Sequence, residues 1–397
     1  MLSILKIALR NLTRFGRRTL LTSTLITLGI VSVLLFIAVA GSFKSMMISQ
    51  FTDSVLGHLQ VHHRGYVASI DTLPLNLNMR PGMLARLTPV LQQMPEIESW
   101  SERVKVGAMF SNFTETTSIR VNGIDPVREA ATTPALSSRI SDGVKSVGDL
   151  KRGEILIPAL LARGMKVKVG DTIVLVATNR EGSVNGKTLA VRGIVDSVSG
   201  PSGRDGYVHM EDVRELLRMK DAEVSEIAIR LKDPSRLGAV HARLVSELSA
   251  LTNKEGRSVL DVHTWADLSP FASIARMIDL LTLFIKIMLV SIVLVSIMNV
   301  MIMAVYERIR EIGTISAIGT PPRRILSLFL TEGLLLGAGG AVIGTAVAIA
   351  AVQALNVWKI TFNFGQQRGL VLSPSLALTD VALVAVLVVV MALLASL

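Results

Sequence analysis

The sequence predicts an α-helical membrane protein: four transmembrane helices, with a large α+β domain inserted between the first and the second. Three observations predict it. Of the 397 residues, 50% are apolar and only 18% are charged. The apolar residues gather in uncharged runs at 20–40, 287–305 and 381–397, and the run 325–357 holds a single charge, Glu332. About twenty such residues cross the hydrocarbon as a helix. Between the first two runs lies a long stretch of mixed composition with strand and helix periodicities.

Taken in order, residues 1–18 carry Lys6, Arg10, Arg14, Arg17 and Arg18 and no acid. The first span is 19–41. It is longer than the apolar core of a secretory signal, and GSFKSMM after it offers no clear cleavage site. The inserted domain with its helical stalks is 42–278. The second span is 279–305, and a charged loop fills 306–324. The third span with its outer end is 325–357, an outer loop covers 358–378, and the fourth span is 379–397. Positive charge stays on the cytoplasmic side. Residues 1–18 and the loop arginines Arg308, Arg310, Arg323 and Arg324 are separated by two crossings, so both face inward. The inserted domain then lies outside. The net charge of +10 is largely membrane-anchoring arginine, with no basic patch interleaved with aromatics, so no nucleic-acid partner is expected. Without cysteine, the outer domain must hold itself by core packing.

The domain's ends read as continuations of the spans. Phe43, Met47, Phe51 and Val55 fall at helical spacing, as do Leu268, Phe271, Ile274, Met277 and Leu281. Their stripes suit packing of two projecting helices or an apolar surface for cargo. The candidates for the latter are Phe43, Met47, Phe51, Phe271, Ile274 and Met277. HLQVHHRGYV reads as a strand ending at Gly65. IESWSERVKVGAMFSNFTETTSIRVNGI holds two or three strands. GEILIPALLARGMKVKVGDTIVLVA is strand, short helix, turn, strand. KTLAVRGIVDSV, DGYVHM and VSEIAIRLKD add strands, and MEDVRELLRM and LGAVHARLVSELSAL add helices. Two small α+β lobes fit this order. His58, His62 and His63 do not make a metal site: on a strand His62 and His63 point to opposite faces, and surface positions are expected. No nucleophile elbow, HExxH or P-loop is present, so no catalysis and no nucleotide site is expected in this chain.

The charged loop reads ERIREIGTISAIGTPPRRI from residue 307. Glu307 and Glu311 stand one turn apart, Gly313 offers a break, and Gly319 suits a helix C-cap before Pro321 and Pro322. Ile315 and Ile318 are left exposed for a groove on another protein or for lipid. In the third span, Gly333 and Gly337 are four apart, as are Gly340 and Gly344, a spacing for close helix contact. Glu332 and Asn299 each need a partner inside the membrane and are read as bonding or switching residues.

The stretch ERIREIGTISAIGTPPRRILSLFLTEGLLLGAGGAVIG resembles the signature of the FtsX-like permease domain of type VII ABC transporters. Glu307, Arg308, Glu311, Ile312, Gly313, Ala317, Gly319, Ile325, Glu332, Gly340 and Gly344 carry the match. ALRNLTRFGRRTLLT resembles that family's opening amphipathic helix, and GHLQVHHRGY the start of the outer domain in lipoprotein-releasing permeases and their close relatives. The resemblance implies a bacterial inner-membrane protein. It further implies a second permease subunit, identical or paralogous, and two cytoplasmic ATPase subunits that bind ATP and Mg²⁺. The loop helix would dock on the ATPase through Glu307, Arg308, Glu311, Ile312, Gly313, Ile315, Ala317, Ile318 and Gly319. Work would be done on the outer side by mechanotransmission. Only 18 residues precede the first span, so the ATPase is expected as a separate chain. Release of lipoproteins from the outer leaflet, with a possible periplasmic acceptor, is the expected function. Efflux of drugs or peptides through a tripartite pump is the alternative.

Overall fold

The computed structural model describes residues 2–14, 16–196, 201–249, 258–364 and 367–395. Two compact units are present. One comprises residues 1–46, 274–363 and 368–397 and is helical; the other is essentially 47–273.

Among the described residues of the helical unit, three helices are long and apolar enough to cross a membrane, and a shorter apolar helix runs Leu378–Leu394. The fourth predicted span therefore corresponds to a helix of 18 residues, Leu378–Ala395, with 396 and 397 outside the described residues. The first long helix is Gly16–Phe51, the second Phe271–Glu307 and the third Pro322–Trp358. A separate N-terminal helix covers Leu2–Arg14. Glycines set the spacing where helices meet. A Cβ on Gly340 would stand 2.5 Å from Ile26 Cγ2, one on Gly344 2.9 Å from Ile30 Cβ, and one on Gly337 2.6 Å from Ala392 Cβ. The third helix thus packs on the first with one glycine pair and on the last through Gly337. Gly333 is buried with them. Gly29, not anticipated, fits against Val293 of the second helix in the same way. The outer loop 358–378 contains a two-stranded sheet, Thr361–Phe364 with Gln367–Val371, which its sequence did not suggest.

Among its described residues the other unit is built on ten strands: β1 Leu59–His63, β2 Ile97–Ser111, β3 Thr116–Ile124, β4 Ile140–Gly143, β5 Glu154–Pro158, β6 Thr172–Thr178, β7 Val184–Val195, β8 Asp205–His209, β9 Glu226–Leu231 and β10 Leu260–Thr264. The expected strand and helix segments are present. Their assembly into two separate lobes is not. Strands β10, β1, β9 and β2 form one antiparallel sheet. Strands β2, β3, β8, β5, β7 and β6 close a ring, since β6 pairs both β2 and β7. At 15 residues β2 is long enough to serve both, and it welds them into one body. One hydrophobic core runs through both parts, from Leu84 and Leu244 on the helices to Phe110, Ile173 and Leu189 in the ring.

Alternation sorts the four-stranded sheet. Ile227, Ile229 and Leu231 of β9 face the helices Pro81–Gln93 and Leu237–Ser249. Glu226 and Arg230 of β9, with Arg103 of β2 and His62 of β1, therefore point to the other face. That face reads as the solvent side, yet Glu226, Arg103 and His62 are fully buried. The short helix Pro126–Thr132 packs on β2 there and brings Glu129 with it. His58 is buried too, so the surface positions expected for His58 and His62 are corrected; His63 alone is half-buried.

Candidate functional site

In the helical unit, the predicted coupling loop folds as a helix, Ile309–Ala317. Its start is a break at Arg308, whose backbone lies at φ −104° and ψ 13°. Gly313 is inside the helix, so the break expected there is corrected; nothing nearby demands one, and glycine only weakens the turn. The helix ends as its sequence predicts. Gly319 takes φ +88°, its N–H donates to Ser316 O at 3.0 Å, and Thr320 N–H donates to Ile315 O at 3.3 Å. This pair of bonds is the Schellman closure. Pro321 and Pro322 then start the third long helix. Glu307, Glu311, Ile315, Ala317 and Ile318 are exposed, Ile318 at 80%, and Ile312 is half-buried.

Arg308 differs from its neighbours. It is 7% exposed and turns inward, where Nη1 donates to both oxygens of Glu332 at 2.9 and 3.1 Å. Asn11 Nδ2 donates to Glu332 Oε1 at 2.8 Å. One carboxylate on the third helix thus holds the N-terminal helix and the residue that joins the second helix to the loop helix. Arg308 was expected on the docking surface, and the structure places it in this internal bond instead. Glu332, expected to need a partner, has two. Asn299 lies on an exposed face of the second helix and is not part of this group.

In the sheet unit, both long helices attach to neighbouring strands. After Phe51 the chain makes a wide π-type turn, Thr52–Leu56, closed by Gly57 N–H donating to Thr52 O at 2.9 Å, and enters β1. Gly57 has φ +70°, and a Cβ there would meet Ile229 O at 2.9 Å, so this joint needs glycine. The second helix leaves from β10 through a capping box at Thr264 and Asp267. β1 and β10 are paired, Leu59 opposite Thr264. The rings of Phe51 and Phe271 stack at 4.1 Å.

The six apolar cargo candidates separate accordingly. Met47 is 4% exposed, and Phe51 and Phe271 pack on each other, so these three act in packing. Phe43 is half-buried. Only Ile274 and Met277 are exposed, Met277 at 52%.

A buried ionic group under the joint was not foreseen. Arg103 donates to Glu129 Oε1 at 2.6 Å and to Glu226 Oε1 at 2.9 Å; Lys105 Nζ reaches Glu226 Oε2 at 2.8 Å. Burial opposes the charge on Glu226, but Lys105, His62 and Arg103 outweigh it and hold the carboxyl well below its usual range. For Arg103, burial is likewise outweighed by Glu129 and Glu226, and its pKa rises. Among the described residues no cluster suited to a metal ion is found. Sequence alternation could have shown which residues share this face, but not that the face is covered.

The description "MacB-like periplasmic core domain" matches residues 19–247, and "FtsX-like permease C-terminal" matches residues 283–397. The chain is 24% identical over 364 residues to the lipoprotein-releasing system transmembrane protein LolC of Neisseria meningitidis, covering 87% of this chain and 79% of that protein. It is 23% identical over 191 residues to an uncharacterized ABC transporter permease of Methanocaldococcus jannaschii, covering 48% of this chain and 45% of the other. Among solved structures it is similar to the periplasmic region of MacB from Actinobacillus actinomycetemcomitans, with a TM-score of 0.39, 11% identity and coverage of 59% and 98%. The extracellular domain of the transporter YknZ gives a TM-score of 0.35, 11% identity and coverage of 52% and 99%. The chain is a multi-pass membrane protein of the family that joins a MacB-like periplasmic core domain to an FtsX-like permease domain, the permeases of ABC transporters.

Proposed function

We propose that this permease couples ATP hydrolysis by two separate cytoplasmic ATPase subunits to movement of the sheet domain, and that the movement extracts lipoproteins from the outer leaflet of the inner membrane. A second permease subunit completes the assembly. One observation carries the mechanical part: two long helices enter β1 and β10, neighbouring strands of one sheet. Any shift of either helix must load the same pair of strands. The loop helix with exposed Ile315 and Ile318 is the surface on which the ATPase would push. Arg308 at its start passes the push to Glu332 and Asn11.

The lipoprotein part is supported by the relative whose name records lipoprotein release. Acyl chains need an apolar surface, since each exposed CH₂ costs about 0.8 kcal/mol. Ile274 and Met277 supply one on the second helix. A photo-crosslinking residue at 274 or 277 should capture lipidated protein in living cells, and capture should fall when acylation is blocked. Capture of nothing lipidated, together with ATPase stimulation by small drugs, would replace this reading with drug or peptide efflux.

A further inference from the structure

The wide turn Thr52–Leu56 at the end of the first long helix is gripped by three arginines from three places in the sheet domain. From β2, Arg103 Nη1 donates to Val55 O at 2.5 Å. From β9, Arg230 Nη1 donates to Asp53 Oδ1 at 2.5 Å. Arg139, at the end of the short helix Pro134–Ser138, donates through Nε to Ser54 Oγ at 2.8 Å and through Nη2 to Gln50 Oε1 at 2.9 Å. Thr52 and Ser54 are buried in this grip.

Three features distinguish it from ordinary packing. A helix C-terminus exposes carbonyls carrying partial negative charge, which attract cations. Here the cations are arginines, whose rigid fork resists rotation better than a lysine ammonium. The gripped turn is π-type, a rare geometry that is frequent at functional sites. Finally, the arginines distribute any load. Arg103 is itself bonded to Glu129 and Glu226, and Arg139 precedes β4, which pairs with β7 of the ring. An axial force on the turn therefore reaches β9, β2 and β4 through side chains, besides β1 through the chain.

We propose that Arg103, Arg139 and Arg230 are positioning residues of the power stroke: they lock the end of the first helix to the sheet domain so that the domain moves with it. This rests on the mechanotransmission reading above.

Full-length permease with its ATPase in nanodiscs tests it. Two fluorophores on cysteines at Lys220 and Ser316 report the nucleotide-driven change in distance; both sites are exposed and the native chain has no cysteine. Arg139→Ala and Arg230→Ala should each reduce the change at least threefold while ATPase turnover stays within twofold of wild type. The double variant should lose no more than the worse single one, because both release the same turn. In an unlabelled background, a short bismaleimide bridging cysteines at 50 and 139 should restore transport to Arg230→Ala protein, which loss of stability alone would not explain. Undiminished movement in both single variants overturns the grip while leaving the stroke in place. A wild-type protein whose distance does not respond to nucleotide overturns the stroke and the grip with it.

Discussion

Arg308 and Glu332 stand 24 residues apart and meet at 2.9 Å, with Asn11 on the same carboxylate oxygen. Removing one member of a buried ion pair strands the other's charge, at a cost of about 3–5 kcal/mol. Glu332→Leu should therefore lower the thermal midpoint in detergent sharply. Arg308→Met combined with Glu332→Leu should recover most of that loss. Transport should stay low in the double variant, since the link from loop to third helix is gone. A double variant that transports normally would reduce the pair to packing.

The loop helix gives opposite expectations for two substitutions at one glycine. Gly313 lies mid-helix with open space around it, so Gly313→Ala should strengthen the helix by about 0.5–1 kcal/mol and leave ATPase binding intact. Gly313→Pro should cost about 3 kcal/mol and abolish binding. Glu311→Lys reverses an exposed charge and should weaken ATPase association without lowering permease abundance. Co-purification of the ATPase reads all three. Tolerance of Glu311→Lys would mean the helix rests on lipid.

Gly340→Leu should force the first and third helices apart, costing about 1–3 kcal/mol by overpacking. Ile26→Ala in the same chain should recover part of it, because Ile26 Cγ2 is the atom in the way. The thermal midpoints of both variants check this.

Acid should loosen the sheet domain in two steps. His58 Nδ1 accepts Leu231 N–H at 2.9 Å and must be unprotonated to do so. Burial, ahead of the opposing pull of Asp53, depresses its pKa. Its stabilisation is thus full above about pH 6.5, the unfolded value, and is lost as pH falls through the lower folded one. Glu226, depressed likewise, contributes above about pH 4.3 and loses its share below. Urea unfolding of the full chain, followed by tryptophan fluorescence, should show a shallower slope below pH 6.5 in His58→Asn. A parallel slope in that variant would exclude His58.

Positive charge predicts the topology. Cysteines at Lys151 and Lys220 should label from outside in spheroplasts, and one at Ser316 only after lysis; all three sites are exposed. Labelling of 316 from outside inverts the chain.

The helices were legible because lipid demands a long unbroken apolar run, and a single charge such as Glu332 then stands out. The cap at Gly319 was legible because only glycine takes φ +88° cheaply. Arg308 was not. Its identity fits a docking surface as well as a buried bond, and only the fold brings Glu332 to it. The surface reading of His62 on β1 failed in the same manner. Period-two alternation reports which residues share a face, not what covers it: the His62 ring stacks on Tyr66, and Arg103 is held by Glu129, which arrives from residues 126–132.

The pairing of Leu59 with Thr264 places the chain's way into the sheet domain next to its way out, about 5 Å apart as neighbouring strands are. Some two hundred residues therefore hang from the rest of the chain by a gap one strand wide. Such a cassette can be exchanged between permeases by recombination at two points without altering the geometry of the host. What the sheet domain handles can diversify from one lineage to the next while the rest of the permease stays the same.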